Sequence, residues 1–194
     1  MRYTKGHKDT SHERILKVAA KKFRRQGIAA TGMTGVMAEA GLTNGGFYSH
    51  FRSKSDLVRE GLVCALDEQP HRLAEASPAE LRELIRCYLS AEHRDHPDSG
   101  CASAALLPEI GRQPRSIRKA YTARMSEFFE QLARGLPQSS PSHPPHDTAI
   151  GIFAVLVGAL QLSRAVEDRS MSDAILAAGI RAADALADMA EEKP

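Results

Sequence analysis

Between Met33 and Lys54 the chain gathers Thr34, Thr43, Asn44, Gly45, Gly46, Tyr48, His50 and Lys54. Hydroxyl, amide, phenol and imidazole side chains are all hydrogen-bonding groups that nucleic acid can engage. The spacing is as telling as the types. A short helix is expected over about Met33–Ala40, Gly41-Leu42 makes a turn, and a second short helix runs from Thr43 to His50. This is helix-turn-helix spacing, in which the second helix enters the major groove of DNA. Phe47 and Phe51 anchor that helix inward and leave Thr43, Asn44, Tyr48 and His50 outward. The adjacent glycines weaken a helix, yet they let backbone come close to a partner, and amides at a helix start bind phosphate. The plainer reading of Tyr48 and His50 is that both are simply solvated side chains.

A second group of reactive side chains lies further along. Cys101 stands at an expected helix start, where the dipole favours a thiolate, with His93 and His96 close by in sequence. The competing reading is a small packed residue, because free cysteines are commonly inert core. Cys64 and Cys87 fall on apolar stripes and are expected in the core. The three cysteines include no Cys-x-x-Cys pair, so neither a disulfide framework nor a structural zinc is expected. His143-Pro144-Pro145-His146 lacks a third ligand, and His93-Arg94-Asp95-His96 with Asp98 reads as a solvated loop; no metal and no cofactor are expected.

The elements that must position these groups are helical throughout, with no convincing strand alternation and no internal repeat. The first helix is expected from Ser11 to Gln26, with Thr10 and Glu13 at capping-box spacing and Gly27 ending it. Its inner face is Ile15, Leu16, Ala19, Ala20 and Phe23, and its outer face Lys17, Lys21, Lys22, Arg24 and Arg25. Ser53 and Asp56 open the next long helix, and Ser77-Pro78-Ala79-Glu80 opens another. Residues 92–100 are expected as a loop, and a helix from Cys101 to about Leu107 is expected to be disturbed by Pro108. Pro114 starts a long helix to Arg134, and 137–147 reads as a proline- and serine-rich loop. The last two helices, about 147–166 and 170–190, are apolar on most faces or alanine-rich; such helices need neighbours, expected from the same pair of a second subunit, with burial inside the monomer as the alternative.

Composition agrees with a soluble, globular chain rather than a fibrous or disordered one: of 194 residues, 42% are hydrophobic and 26% charged. The N-terminus shows no apolar leader segment and the longest apolar stretch, 151–162, is too short to span a bilayer, so a cytoplasmic protein without membrane partner is expected. Charge is divided unevenly. Residues 1–60 hold 12 Lys/Arg against 5 Asp/Glu, whereas residues 61–194 hold 14 against 19. A basic N-terminal third on an acidic body points to a polyanion as partner of that third.

Gly41-Leu-Thr-Asn-Gly-Gly-Phe-Tyr-Ser-His-Phe-Arg-Ser-Lys-Ser-Asp-Leu57, preceded by Phe23-x-x-x-Gly27, Thr31, Val36 and Ala40, resembles the DNA-binding motif of TetR-family repressors over about residues 10–60. The resemblance implies an all-α homodimer of about nine helices per chain. A three-helix helix-turn-helix domain, 1–54, joins a ligand-binding and dimerisation domain, 55–194, whose last two helices form a four-helix interface. It further implies that Thr43, Asn44 and Gly45 face bases, that Tyr48 holds a phosphate, that His50 and Lys54 touch backbone, and that Thr34 contacts DNA from the first short helix. Gly46 departs from the Thr or Ala common there, and Gly35 departs within the first short helix. Gly100-Cys101 and the following residues resemble a subgroup with a Gly-Cys start to the sixth helix, some of whose members sense electrophiles or oxidants through that cysteine.

These readings add up to a transcriptional regulator, expected to repress from a palindromic operator and to be released by a small, mostly apolar effector or by thiol modification. Candidate effector contacts are Tyr88, Cys101, Leu106, Tyr121, Met125, Phe128, Phe153 and Gln161, with core packing as the alternative for each. Two other classes stand beside it. One is a DNA-binding dimer without ligand. The other is an enzyme using Cys101 with His93 or His96 as base, which no phosphate-binding loop or oxyanion motif supports.

Overall fold

The computed structural model describes residues 5–68, 77–136 and 144–191. Among them every regular element is helical, and no strand occurs. The helices are α1 (Lys5–Gln26), α2 (Met33–Glu39), α3 (Phe47–His50), α4 (Lys54–Asp67), α5 (Pro78–Tyr88), α6 (Ala91–Asp95), α7 (Ala102–Ile110), α8 (Arg115–Gly135), α9 (Pro145–Ala165) and α10 (Arg169–Glu191). Single 3-10 turns occupy Asn44–Gly46 and Pro97–Ser99. The expected helices are present, with the short α6 added to them.

Local chemistry explains most boundaries. α1 ends at Gly27, whose φ of 87° is open to glycine at little cost and whose N–H bonds the Phe23 carbonyl at 2.8 Å. α2 ends in a Schellman motif: Leu42 N–H reaches the Met37 carbonyl at 2.9 Å and Gly41 N–H reaches Ala38 at 3.0 Å, with Gly41 at φ 69°. Ser53 Oγ accepts the Asp56 N–H at 3.1 Å to open α4. Ser77 and Glu80 form the full capping box of α5.

Some boundaries differ from expectation. α1 begins at Lys5, so Thr10 lies inside the helix rather than at its start. Residues 91–95 form α6 rather than loop, because Ser90 Oγ accepts the His93 N–H at 3.2 Å. α7 runs through Pro108 to Ile110, its end carried by Gly111 N–H to Leu107 carbonyl at 3.1 Å and Gln113 N–H to Ile110 carbonyl at 3.0 Å. Pro108 removes one backbone donor near the C-terminal end of the helix, which closes two residues later. Of the expected 137–147 loop, residues 137–143 lie outside the described residues and Pro145 already opens α9.

The chain packs as two compact units, residues 1–69 with 97–122, and residues 70–96 with 123–194. The first unit thus takes in α4, α7 and the start of α8 beside the helix-turn-helix, beyond the boundary expected at residue 54. In the first unit, Ile15, Ala19, Ala20 and Phe23 of α1 meet Val36, Met37, Phe47, Phe51, Leu57, Leu62, Leu106 and Ile117 in one core. Gly61 lets α4 approach α1: a β-carbon there would lie 2.7 Å from Phe23 Cε2.

In the second unit α9 and α10 form a closely packed pair. A β-carbon at Gly179 would lie 2.5 Å from the Ala159 β-carbon and 2.9 Å from Leu89 Cδ1. The pair is tied to α6 by a polar network. Arg94 is buried and donates to Ser172 Oγ at 2.9 Å and Asp173 at 2.6 Å, Ser172 donates to the Ser163 carbonyl at 2.7 Å, and Asp95 takes both guanidinium nitrogens of Arg169 at 2.9 Å. These guanidinium bonds hold the Asp95 carboxyl well below the ordinary carboxylate range. α9, Pro145–Ala165, is longer than the apolar stretch read from sequence. It is long and apolar enough to cross a membrane by length and composition, but half of its most apolar window is buried inside the fold.

Candidate nucleic-acid interface

Residues 31–60 hold the candidate contact groups on a scaffold of buried apolar side chains. Val36, Met37 and Ala40 of α2 face inward, as do Phe47 and Phe51, whose rings lie 5.4 Å apart. Thr31 is buried and structural: its hydroxyl donates to the Gly27 carbonyl at 2.7 Å and fixes the turn between α1 and α2. The second helix of the motif is shorter and tighter than a uniform helix from Thr43. Asn44–Gly46 form a 3-10 turn, with Gly46 N–H on the Thr43 carbonyl at 3.0 Å, and α-helix begins only at Phe47. The two glycines account for that, since helical hydrogen bonding gains little support from residues with no side chain to pack.

On this scaffold Thr34, Thr43, Asn44, Gly45, Tyr48 and Lys54 are exposed, while Gly46 and His50 are half-buried. Tyr48 is 73% exposed, an unusual position for a large aromatic side chain that packs only its edge against Phe47 at 5.2 Å. Asn44 donates its side-chain N–H to Thr34 Oγ1 at 3.3 Å. That bond links two expected contact residues and orients the Asn44 amide, whose oxygen and second N–H keep their capacity for a base edge.

His50 is held from behind. The ring of His12 stacks on Phe51 at 4.7 Å, sits 5.9 Å from His50, and its Nε2 lies 2.9 Å from the Glu60 carboxylate. His12 thus supports the recognition element from α1, a role with no local sequence signal. Glu109 is a second support of this kind: its carboxylate accepts the Ala29 N–H at 2.8 Å beside Gly27.

The basic face of α1 is smaller than its sequence implies. Arg24 is not on the outer face: its side chain is 7% exposed and donates to the Asp98 carbonyl at 2.8 Å, the Ala65 carbonyl at 3.4 Å and Glu68 Oε2 at 2.8 Å. Lys22 is paired with Glu39 at 2.8 Å, and the lysine's hydrogen bond draws the Glu39 carboxyl below its ordinary range. Lys17, Lys21 and Arg25 are exposed, as are Arg52 and Lys54.

The candidate effector residues fall into two groups. Tyr88, Phe128 and Phe153 come together in the second unit, with Phe128 and Phe153 rings 4.8 Å apart and Tyr88 and Phe153 6.5 Å apart. Met125 is buried there and Gln161 half-buried. His93 joins this group, its ring 4.7 Å from Tyr88 and its Nδ1 2.7 Å from the Tyr88 carbonyl; burial lowers its pKa from the ordinary histidine value. Cys101, Leu106 and Tyr121 lie in the first unit, where Leu106 is wholly buried and the Tyr121 hydroxyl lies 3.1 Å from Ser103 Oγ.

Cys101 is 4% exposed, and its sulfur accepts the Ala104 N–H at 3.4 Å as the cap of α7. Cys64 is half-buried, and burial together with Glu68 pushes its thiol up to about 11. Cys87, expected in the core, is exposed on α5. Among the described residues no cluster of three or more metal-ligating side chains occurs; His143 lies outside them.

An amphipathic support helix, a short helix, a tight turn and a second short element with exposed polar tips define a helix-turn-helix DNA-binding fold. Residues 15–60 match the family described as bacterial regulatory proteins, tetR family. It is this domain, residues 15–60, that carries the likeness to the TetR family. It is 34% identical over 80 residues to the HTH-type transcriptional regulator TtgR of Pseudomonas putida, covering 41% of this chain and 38% of that protein. It is 27% identical over 124 residues to the HTH-type transcriptional repressor KstR2 of Rhodococcus jostii, covering 63% and 61%. The aligned segments thus span less than two thirds of these relatives. The fold is similar to that of a TetR-family transcriptional regulator from Cytophaga hutchinsonii, with TM-score 0.74, 19% identity and coverage of 97% of this chain and 98% of the other. A TetR regulator from Chloroflexus aurantiacus gives TM-score 0.73 at 23% identity, covering 96% and 97%.

Proposed function

We propose that this protein is a ligand-responsive transcriptional regulator, a repressor, that acts in the cytoplasm by binding a palindromic DNA operator as a homodimer. The observation that carries the reading is the exposed polar surface of the helix-turn-helix, with Asn44 oriented by Thr34 and Tyr48 projecting from the recognition element. Thr34, Thr43, Asn44, Gly45 and Gly46 meet base edges in the major groove, and Tyr48, His50 and Lys54 hold phosphates on either side. Residues 1–54 form the DNA-binding part and 55–194 the ligand-binding and dimerisation part.

The dimer interface is formed by α9 and α10. Support comes from their exposed apolar side chains: Ile150 and Leu162 on α9, and Met171 and Met189 on α10, of which Leu162 is 60% exposed. A second copy of the same pair covers these groups and sets the spacing of the two recognition elements at about 34–36 Å. The effector is small and mostly apolar, and the Tyr88, Phe128 and Phe153 rings are its contacts. Release follows if the effector prefers dimers whose recognition elements no longer match successive grooves. A non-covalent effector is favoured over thiol modification because Cys101 is buried and engaged as a helix cap. No enzymatic role is assigned.

The test is a gel shift on the DNA flanking the protein's own gene, with a scrambled duplex as competitor and salt raised stepwise. Retention on the flanking DNA at salt that strips the scrambled duplex supports the reading. Equal retention of both duplexes contradicts it.

A further inference from the structure

Packing sorts the charge of this chain by unit. Residues 1–69 with 97–122, the first unit, hold 16 Lys/Arg against 9 Asp/Glu, and the second unit holds 10 against 15. Residues 97–122 are a net basic stretch within the otherwise acidic part of the chain, and they pack with the helix-turn-helix. The two acids of that stretch are engaged there: Asp98 lies 3.6 Å from Lys21 Nζ, and Glu109 accepts the Ala29 N–H at 2.8 Å. Its four cations, Arg112, Arg115, Arg118 and Lys119, are exposed and make no ion pair among the described residues. Arg115, Arg118 and Lys119 share one face of α8 at i, i+3 and i+4, while Ile117 turns inward and is buried. The fold gains nothing from this arrangement. Like charges at those spacings repel, the start of a helix disfavours cations, and the first turn of α8 holds no acid. Glu109 also fixes the end of α7, just before Arg112, to the α1–α2 turn through Ala29. From Ala29 the chain reaches Met33, the start of α2, within at most about 14 Å.

We propose that Arg112, Arg115, Arg118 and Lys119 form a second contact with duplex DNA, holding phosphates beyond the palindromic core that the helix-turn-helix reads. Duplex DNA is the polyanion that this placement favours, because the patch belongs to the same packed unit as the recognition element and is tied to the turn that enters α2. Arginine and lysine on phosphates add affinity without sequence preference, and each contact releases about one counterion. The surface that meets DNA therefore extends past residue 54. The inference rests on the operator-binding reading.

The test compares the wild type with a variant carrying Arg115→Gln, Arg118→Gln and Lys119→Gln. Two duplexes share the sequence that the wild type selects from a random pool. One is cut to the palindrome, and the other carries about ten further base pairs, one helical turn, on each side. Affinity is measured as sodium chloride is raised, with thermal unfolding alongside. The wild type is expected to bind the longer duplex more tightly and with steeper salt dependence. The variant is expected to lose about tenfold or more there, with a slope shallower by about two to three counterions, while it selects the same palindrome and keeps or raises its Tm. On the short duplex the two proteins are expected to agree within about twofold. Wild-type affinity and slope of the variant on the longer duplex overturn the inference and leave the operator reading standing, as does an equal loss on both lengths. Wild-type duplex binding together with lost adsorption to vesicles of an anionic phospholipid assigns the patch to a membrane surface and overturns it too. A wild type that selects no sequence removes the operator reading and the inference together.

Discussion

Arg24 separates structural charge from DNA-binding charge on α1. Its side chain is 7% exposed and its guanidinium closes three bonds, to the Asp98 and Ala65 carbonyls and to Glu68. Arg24→Met keeps much of the side-chain volume and removes all three donors. Two part-buried carbonyls and an exposed carboxylate then lose this donor, at roughly 1–3 kcal/mol for hydrogen bonds to a charged group. Glu68 is 34% exposed and recovers water, so its share is below about 1 kcal/mol. The sum is on the order of 2–3 kcal/mol, which for a chain of this size lowers Tm by roughly 5–10 °C. The assay pairs thermal unfolding with the salt dependence of duplex binding. Arg24→Met is expected to lose stability and keep the salt slope, while Arg25→Met keeps its Tm and lowers the slope by about one counterion. An Arg24→Met protein with wild-type Tm and a reduced slope would refute the buried assignment.

Gly179→Leu should destabilise the α9–α10 pair by about 1–3 kcal/mol or more through overpacking, because the β-carbon alone already meets Ala159 and Leu89; wild-type Tm in that variant would contradict the close approach. His93 has its pKa lowered in the fold, chiefly by burial. The unfolded chain therefore takes up the proton first, and the stability tied to neutral His93 is complete above about pH 6.5 and is lost as pH falls through the lower folded value. Denaturant titrations between pH 7.5 and about 5 should show this loss in the wild type and not in His93→Gln. Mild thiol oxidant should leave duplex binding intact at short times, since the Cys101 sulfur is buried; loss that Cys101→Ser abolishes would show that the site opens.

Much of the fold was legible because its signals are local. Gly27, Gly41, Ser53 and the Ser77–Glu80 box each mark a helix end through bonds made within five residues, and the helical spacing of Phe47 and Phe51 marks the inward face. What escaped depends on residues far apart in sequence. Arg24 reads as one more cation on a basic helix until Asp98, 74 residues away, comes within 2.8 Å. His12 supports the recognition element through Phe51 and Glu60, and neither contact has a sequence signature. Cys87 sits at an apolar spacing on α5, yet that edge of the helix is exposed. For the candidate interface, the sequence conveys which side chains are exposed tips and which are anchors. The open space around Gly45 needed coordinates.

Selection from a pool of random duplexes by the purified protein bears most directly on the central claim. The account predicts enrichment of a palindrome whose half-sites lie about one helical turn, or a multiple of it, apart, with Asn44→Ala and Tyr48→Ala weakening the selected complex. A pool that remains random after repeated rounds at moderate salt, with binding governed by charge alone, would contradict it.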